Sequence, residues 1–204
     1  MLTEEEIKFK LKHFTLGKKI WEEFAPLRNY NEVKKDKARP AAVGIHIENN
    51  NGNIRLILIE RAEYDGKHSQ QIAFPGGKLD PSDLNLEQTA RRESFEEIGF
   101  GLSEGRLIGE LSEVYIPVSG FIVKPFVFIH QKFPNIIRNQ REVKQVLICD
   151  LNDIDTLNRK IHQNVKVNEH YILKNVPGIL FETHFIWGAT ALMLHEFNTA
   201  LKIS

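Results

Sequence analysis

The stretch FPGGKLDPSDLNLEQTARRESFEEIGF, residues 74 to 100, begins with a glycine turn and continues into an acidic helix. It brings three carboxylates, Glu93, Glu96 and Glu97, into little more than one helical turn. Like charges three and four residues apart share one face of a helix and repel each other. We therefore expect a positive charge beside them.

The helix itself is predicted from its end signals. Asn85 suits an N-cap, Gln88 is the reciprocal partner of a capping box, and Gly99 suits the left-handed terminator. The inward side is predicted to carry Leu86, Ala90, Ser94 and Ile98. Glu93 and Glu97 lie at the edge of that side, with Glu96 beside them. Carboxylates that face a protein body are costly unless they are paired or bind a metal.

The glycine turn before the helix adds a second source of oxygen ligands. Gly76 and Gly77 permit close approach of bare backbone to a ligand. Backbone carbonyls and glutamates together make an all-oxygen site, which selects hard cations such as Mg²⁺. The alternative from spacing alone is an acidic surface helix whose charges are balanced by Arg91 and Arg92.

The rest of the chain predicts an α+β or a sandwiched α/β domain with a mixed sheet. Thr3 caps an N-terminal helix, and a polar linker follows, so we divide the chain into a unit 1–35 and a domain 36–204. Asn51-Gly52 predicts a hairpin between two strands within 41–63. Further strands are predicted at 113–117, 120–130 and 143–151, and a closing helix at 184–203.

Composition excludes several partners. Lys plus Arg and Asp plus Glu number 27 each, so no overall field attracts nucleic acid or a membrane surface. The start of the chain has acids where a signal peptide is basic, and no run of about 18 apolar residues occurs. The single cysteine, Cys149, has no partner for an internal disulfide, which favours a reducing compartment. We expect a cytoplasmic protein.

The opening stretch resembles the Nudix box: a glycine, a spacer, an acid, a second spacer, then Arg-Glu-x-x-Glu-Glu-x-Gly and an apolar residue. The matching residues are Gly77, Asp83, Arg92, Glu93, Glu96, Glu97, Gly99 and Phe100. Three features depart from the usual pattern. Asp83 replaces a glutamate, the following spacer is one residue longer, and Ser94 occupies a commonly apolar position.

The same departures resemble the coenzyme A pyrophosphatase branch of that family. Upstream, Arg61, His68, Gln71 and the FPGG run match the branch, whereas Gly66 and Gln70 replace an arginine and a glycine of its pattern. Downstream, residues 117–126, Glu142-Val143 and 184–191 are also similar. The resemblance covers residues 40 to 200 in patches.

The resemblance implies a Nudix-type α/β/α sandwich that hydrolyses a diphosphate with Mg²⁺ or Mn²⁺. It implies Glu93 and Glu97 as the first metal ligands, then Glu96 and the Gly76 carbonyl. Arg92 would hold the glutamates by ion pairing. The base for the attacking water is left open between Glu93 and Glu142.

Coenzyme A hydrolysis would yield 3′,5′-ADP and 4′-phosphopantetheine or its acyl form. Arg61, Lys67 and His68 are the candidates for the 3′-phosphate, and Gly77 is grouped with them as substrate-binding. Arg61 at a strand end and His68 in a polar loop also have the plain interpretation of solvent-facing side chains.

Two other functions stay open. One is hydrolysis of another nucleoside diphosphate derivative such as ADP-ribose. The other is a non-catalytic nucleotide-binding sensor, which the intact glutamate set argues against. Residues 1–35 either cap the domain or mediate a homodimer, and the sequence does not choose between these roles.

Overall fold

The computed structural model describes residues 2–14, 24, 38–62, 71–154, 160–168 and 171–202. The helices within these residues are α1 Glu4–His13, α2 Leu86–Ile98 and α3 Gly188–Lys202. The strands are β1 Arg39–Asn50, β2 Asn53–Arg61, β3 Ile72–Ala73, β4 Gly76–Lys78, β5 Arg106–Glu110, β6 Val114–Ile116, β7 Phe121–His130, β8 Val143–Asp150, β9 Lys160–Asn168, β10 Tyr171–Phe181 and β11 His184–Trp187.

The larger sheet is mixed, as the sequence predicts. Its long central strand β1 runs parallel to β7 and antiparallel to β2 and β4. Strands β5 and β6 pair with β7, while β3 and β8 pair with β2, all antiparallel. Strands β9, β10 and β11 form a separate antiparallel sheet.

Helices cover both faces of the mixed sheet. On one face, Ile45 and Ile47 of β1 share a core with Ile7 of α1 and Phe197 of α3. On the other face, a smaller apolar cluster joins Ala90 of α2 to β1 and β7. Successive β1 side chains alternate between the faces, as a strand requires. The predicted α/β/α sandwich is confirmed.

The N-terminal helix is built as predicted. The Thr3 hydroxyl accepts from the Glu6 N–H at 3.2 Å, and the Glu6 carboxylate accepts from the Thr3 N–H at 2.6 Å, a complete capping box. Ile7 and Leu11 are buried, so the helix joins the main core. The proposed boundary between residues 35 and 36 lies outside the described residues and stays a prediction.

The predicted hairpin is confirmed at its turn. Asn51 has φ 52° and Gly52 has φ 89°, and Asn50 pairs with Asn53. Two successive residues with positive φ are typical of the type I′ turn, whose twist matches that of the flanking strands.

The predicted closing helix begins later than expected. Residues 184–187 form β11 instead, which pairs with β10 through Gly178 and Trp187. Gly188, with φ 64°, directly follows this strand and is the first residue of α3. The run HFIW is aromatic and β-branched, so an available strand partner outweighs the helical periodicity. No helix within the described residues is long and apolar enough to cross a membrane.

Candidate active site

The glycine turn lies directly against β1. The Gly44 N–H donates to the Pro75 carbonyl at 2.8 Å, and Val43 and Ala42 pair with Gly76 and Gly77. A Cβ atom on Gly76 would lie 2.3 Å from the Ala42 carbonyl oxygen. Only glycine leaves room for this approach, and the turn is therefore fixed to the centre of the sheet.

Helix α2 has the predicted ends, with one difference. Asn85 accepts from the Gln88 N–H at 2.9 Å, and Gly99 is left-handed with φ 79°. The Gln88 side chain, however, accepts from the Leu84 N–H at 2.6 Å, and not from the Asn85 N–H that a capping box requires. The helix direction is thus fixed at both ends, and half of the predicted box is present.

Glu97 is fully buried at the inner side of α2. One carboxylate oxygen accepts from the Gly76 N–H at 2.9 Å, and the other lies 3.4 Å from an Arg61 guanidinium nitrogen. Burial raises the pKa of Glu97 to about 8, although Arg61 and the Gly76 N–H act to lower it. Nearby Glu93 and Glu142 raise it further. The charge of Glu97 is therefore only partly compensated.

Glu93 lies one turn earlier, against the second glycine. A Cβ atom on Gly77 would lie 2.4 Å from the Glu93 carboxyl carbon, so the carboxylate fills the space of the missing side chain. Burial raises the pKa of Glu93, and the ion pair with Arg92 at 2.9 Å opposes that shift. Glu96 is more exposed and pairs with Arg92 at 3.1 Å.

Arg92 is anchored by Asp83. Its Nε and Nη2 atoms each donate to one Asp83 carboxylate oxygen at 3.0 Å. This paired contact with the Arg92 guanidinium lowers the pKa of Asp83 to about 2, helped by N–H and O–H donors from Asp80 and Thr89. The sequence left the role of Asp83 undefined. The structure gives it a definite contact across the longer spacer.

Glu142 reaches the site from the loop before β8. The Asn139 N–H donates to the Glu97 carbonyl at 3.0 Å, and the Asn139 side-chain amide donates to the Glu142 carboxylate at 3.0 Å. The negative charge of Glu142 contributes to raising the pKa values of both Glu93 and Glu97. Sequence reasoning named Glu142 but missed Asn139, because the contact depends on loop geometry.

The charges around the turn fit a divalent cation. Five carboxylates meet two arginines here: Asp83, Glu93, Glu96, Glu97 and Glu142 against Arg61 and Arg92. Carboxylate oxygens are the ligands that Mg²⁺ and Mn²⁺ prefer. Within the described ranges, no three acidic, histidine or cysteine side chains converge on one metal position. Arg92 bridges Glu93 and Glu96 through one guanidinium nitrogen, and its contact with Glu93 is made through the Oε1 atom, so the second Glu93 oxygen could face a cation.

Arg61 contributes a hydrogen-bond donor that has no acceptor among the described residues. This donor is its buried Nε atom. Such a donor suits an anionic oxygen of a ligand. Lys67 and His68, predicted to bind substrate with it, lie outside the described residues, as do Gly66 and Gln70.

The site and fold correspond to a known class of enzyme. The family model NUDIX domain matches residues 38–170. The chain belongs to the Nudix family and is a hydrolase that acts on phosphoric anhydride bonds, a chemistry for which the family generally uses divalent metal ions.

Individual relatives agree with this assignment. The chain is 32% identical over 148 residues to the Nudix hydrolase NudL of Yersinia pestis (strain Pestoides F), covering 72% of this chain and 73% of that protein. It matches NudL of Yersinia pseudotuberculosis serotype O:1b (strain IP 31758) equally.

Solved structures share the fold at low identity. A MutT/nudix family protein from Enterococcus faecalis has a TM-score of 0.52 at 13% identity, covering 98% of this chain and 75% of that one. The MutT protein from Methanosarcina mazei Go1 has a TM-score of 0.51 at 16% identity, covering 81% and 96%. These likenesses define the fold, and the substrate is a separate question.

Proposed function

We propose that this chain is a metal-dependent hydrolase that cleaves the pyrophosphate bond of coenzyme A or its derivatives. The products would be 3′,5′-ADP and 4′-phosphopantetheine, or the acyl form of the latter. The observation that carries the proposal is the placement of two glutamates on two glycines, the buried Glu97 on Gly76 and the half-buried Glu93 on Gly77. The coenzyme A assignment rests on the branch-like sequence around this turn.

Glu93 and Glu97 would hold Mg²⁺ or Mn²⁺, with Glu96 and the Gly76 carbonyl as further oxygen donors. A divalent ion, when bound, neutralises phosphate oxygens and lowers the pKa of a bound water. Arg92 keeps Glu93 and Glu96 oriented through its own contact with Asp83. Such supporting contacts around metal ligands typically matter about 10- to 100-fold in affinity or activity.

Glu142 is our choice as the base that accepts a proton from the attacking water. Its side chain is exposed, and its carboxylate accepts from the side-chain amide of Asn139, whose own N–H donates to the Glu97 carbonyl. The Ala62 N–H donates to the Glu142 carbonyl at 2.8 Å, which fixes the backbone. Glu93 is the alternative base, and it is already engaged by Arg92.

Substrate phosphates would be bound by Arg61 and by the bare backbone at Gly77. The buried, unpartnered Nε atom of Arg61, an absence that refers to the described residues, supports this role. Lys67 and His68 remain the proposed contacts for the 3′-phosphate. That phosphate distinguishes coenzyme A from ADP-ribose.

Two alternatives remain. Hydrolysis of another nucleoside diphosphate derivative such as ADP-ribose is favoured by Gly66 and Gln70, which depart from the coenzyme A branch pattern. A nucleotide-binding sensor would have no need for a carboxylate cluster that is costly to bury. Glu97 is fully buried with only partial compensation from Arg61 and the Gly76 N–H, and this cost favours turnover over a sensor.

The test is a turnover screen with Mg²⁺ and with Mn²⁺, using coenzyme A, ADP-ribose, NADH and dinucleoside polyphosphates as substrates. Products are separated by ion-pair chromatography and identified by mass. Release of 3′,5′-ADP from coenzyme A, abolished by EDTA, is the expected result. If ADP-ribose is turned over in preference to coenzyme A, the substrate assignment changes to ADP-ribose. Tight binding of a compound with no turnover of any of them would support the sensor.

Two further properties belong to this proposal. The single, buried Cys149 is consistent with a reducing compartment, and we propose the cytoplasm. A homodimer is tested by light scattering on the purified chain.

A further inference from the structure

A buried hydrogen-bond chain runs from β7 through β1 to the helix that carries the glutamates. His130 Nε2 lies 2.9 Å from His46 Nδ1, and His46 Nε2 lies 2.8 Å from the Ser94 hydroxyl. The Ser94 hydroxyl donates to the Ala90 carbonyl at 2.7 Å. Ser94 is the residue that departs from the apolar pattern of the Nudix box.

The contacts determine which atom donates and which accepts at each step of this hydrogen-bond chain. The Ser94 hydroxyl has one proton and gives it to Ala90, so His46 must donate from Nε2 to Ser94. Neutral His46 then accepts at Nδ1 from His130. Burial lowers the pKa of both imidazoles, that of His130 to about 4, which keeps them neutral near pH 7. Every proton in the chain therefore points toward α2.

The His46–Ser94 contact is tightly packed on all the sides that neighbouring residues cover. A Cβ atom on Gly44 would lie 2.7 Å from His46 Nε2 and 3.0 Å from the Ser94 hydroxyl oxygen. Phe128 stacks on the His46 ring at 5.2 Å, and Phe100 meets it edge-on at 5.1 Å. The imidazole therefore has one packed orientation, with Nε2 aimed at the helix.

Ser94 directly follows Glu93, and both side chains depend on how α2 lies on the sheet. The Glu93 carboxylate packs directly on Gly77, and a Cβ atom added to Gly77 would overlap it. An apolar contact between helix and sheet tolerates small slides, whereas a hydrogen bond is directional and short. Displacement by about 1 Å can cost a catalytic site about 100-fold.

We propose that His46 and Ser94 are positioning residues for the metal site: they fix α2 on β1 so that the glutamates stay on the glycine turn. This inference rests on the proposed function, because it assumes that the glutamates bind the metal. Neither side chain touches substrate or metal, and both act through the placement of Glu93 and Glu97.

The test measures Mn²⁺ binding by electron paramagnetic resonance, together with kcat, KM and thermal stability. The variants are His46→Leu, Ser94→Ala and the conservative His46→Gln, which keeps a donor and an acceptor. The matched control is Asn198→Leu, which removes a buried amide that donates to the Ile154 carbonyl on the far side of the sheet. We expect the control to lower only the melting temperature.

His46→Leu and Ser94→Ala are expected to weaken Mn²⁺ binding and to lower kcat by about tenfold or more, with KM unchanged. His46→Gln is expected to stay within about threefold of wild type, because it keeps the hydrogen bonds. Mn²⁺ affinity equal to wild type in folded His46→Leu would overturn the inference.

If His46→Leu does not fold, the Mn²⁺ affinity of Ser94→Ala tests the inference by the same criterion. This variant removes a single oxygen atom and is therefore expected to fold. Wild-type protein that fails to bind Mn²⁺ would instead overturn the proposed function, and the inference with it.

Discussion

Replacement of Glu97 by glutamine should separate stability from activity. The glutamine keeps the volume, and its carbonyl oxygen can accept the Gly76 N–H in place of the carboxylate. What disappears is a buried ionisable carboxyl, which without metal must either carry a charge that Arg61 meets only at 3.4 Å or take up a proton. We therefore expect a folded protein that no longer binds the metal.

The size of the stability effect follows from the pKa of Glu97. Its folded value is raised from 4.5 to about 8, so the group opposes folding above pH 4.5, increasingly up to about pH 8. At pH 7 the penalty is roughly 3 kcal/mol, an upper bound. Without metal, Glu97→Gln should therefore melt above wild type, by up to roughly 10 °C for a chain of this length.

The assay compares melting temperatures in EDTA and in excess Mn²⁺, with kcat measured on coenzyme A. Wild type should be stabilised by Mn²⁺ and the variant should not, because the ion binds only an intact site. Turnover should fall by more than the roughly 100-fold typical of supporting residues. Glu87→Gln, on the same helix and paired with Arg91, is the control and should behave as wild type. Wild-type turnover in Glu97→Gln would refute the ligand assignment, and a lower melting point in EDTA would refute the charge reasoning.

Three further substitutions test the parts of the site separately. Gly77→Ala should lower Mn²⁺ affinity and kcat by about 100-fold, because the new methyl group would occupy the position of the Glu93 carboxylate; both are measured as above. Asp83→Asn should reduce the free energy of unfolding, measured in urea near pH 7. The difference from wild type should shrink as pH falls from 3.8 to about 2, because Asp83 is then protonated and its ion pair with Arg92 is lost. Glu142→Gln should lower kcat by about 100-fold or more with Mn²⁺ affinity nearly unchanged, as measured by single-turnover kinetics and titration.

Each of these has an outcome that counts against it. Gly101→Ala is the glycine control, since its added methyl group would make only ordinary contacts at 3.4 Å, and an equal loss in both glycine variants would contradict the steric argument. A pH-independent effect of Asp83→Asn would contradict the ion-pair assignment. An unchanged kcat in Glu142→Gln would leave Glu93 as the base.

Local signals in the sequence predicted much of this molecule. The helix cap at Thr3, the hairpin at Asn51-Gly52 and the left-handed Gly99 all follow from interactions within a few residues. The burial of Glu97 was also predictable, because its helical phase is that of the apolar residues.

Contacts between distant segments could not be predicted in the same way. The Arg61–Glu97 pair joins residues 36 positions apart, and the His46–Ser94 bond joins residues 48 apart. Both depend on how the helix is placed on the sheet, which no local pattern encodes. The only sequence signal for the second contact was a polar Ser94 at a position that is commonly apolar. Strand β11 was missed for a related reason, since its partner strand β10 decides its structure.

The central claim is that a divalent ion is held by Glu93 and Glu97 beside the glycine turn. The most direct measurement is anomalous diffraction from crystals grown with Mn²⁺. The account predicts a manganese peak about 2.0–2.3 Å from a carboxylate oxygen of each residue, with Arg92 still paired to Asp83. A peak elsewhere, or both glutamates still bound to their arginines with no manganese between them, would contradict it.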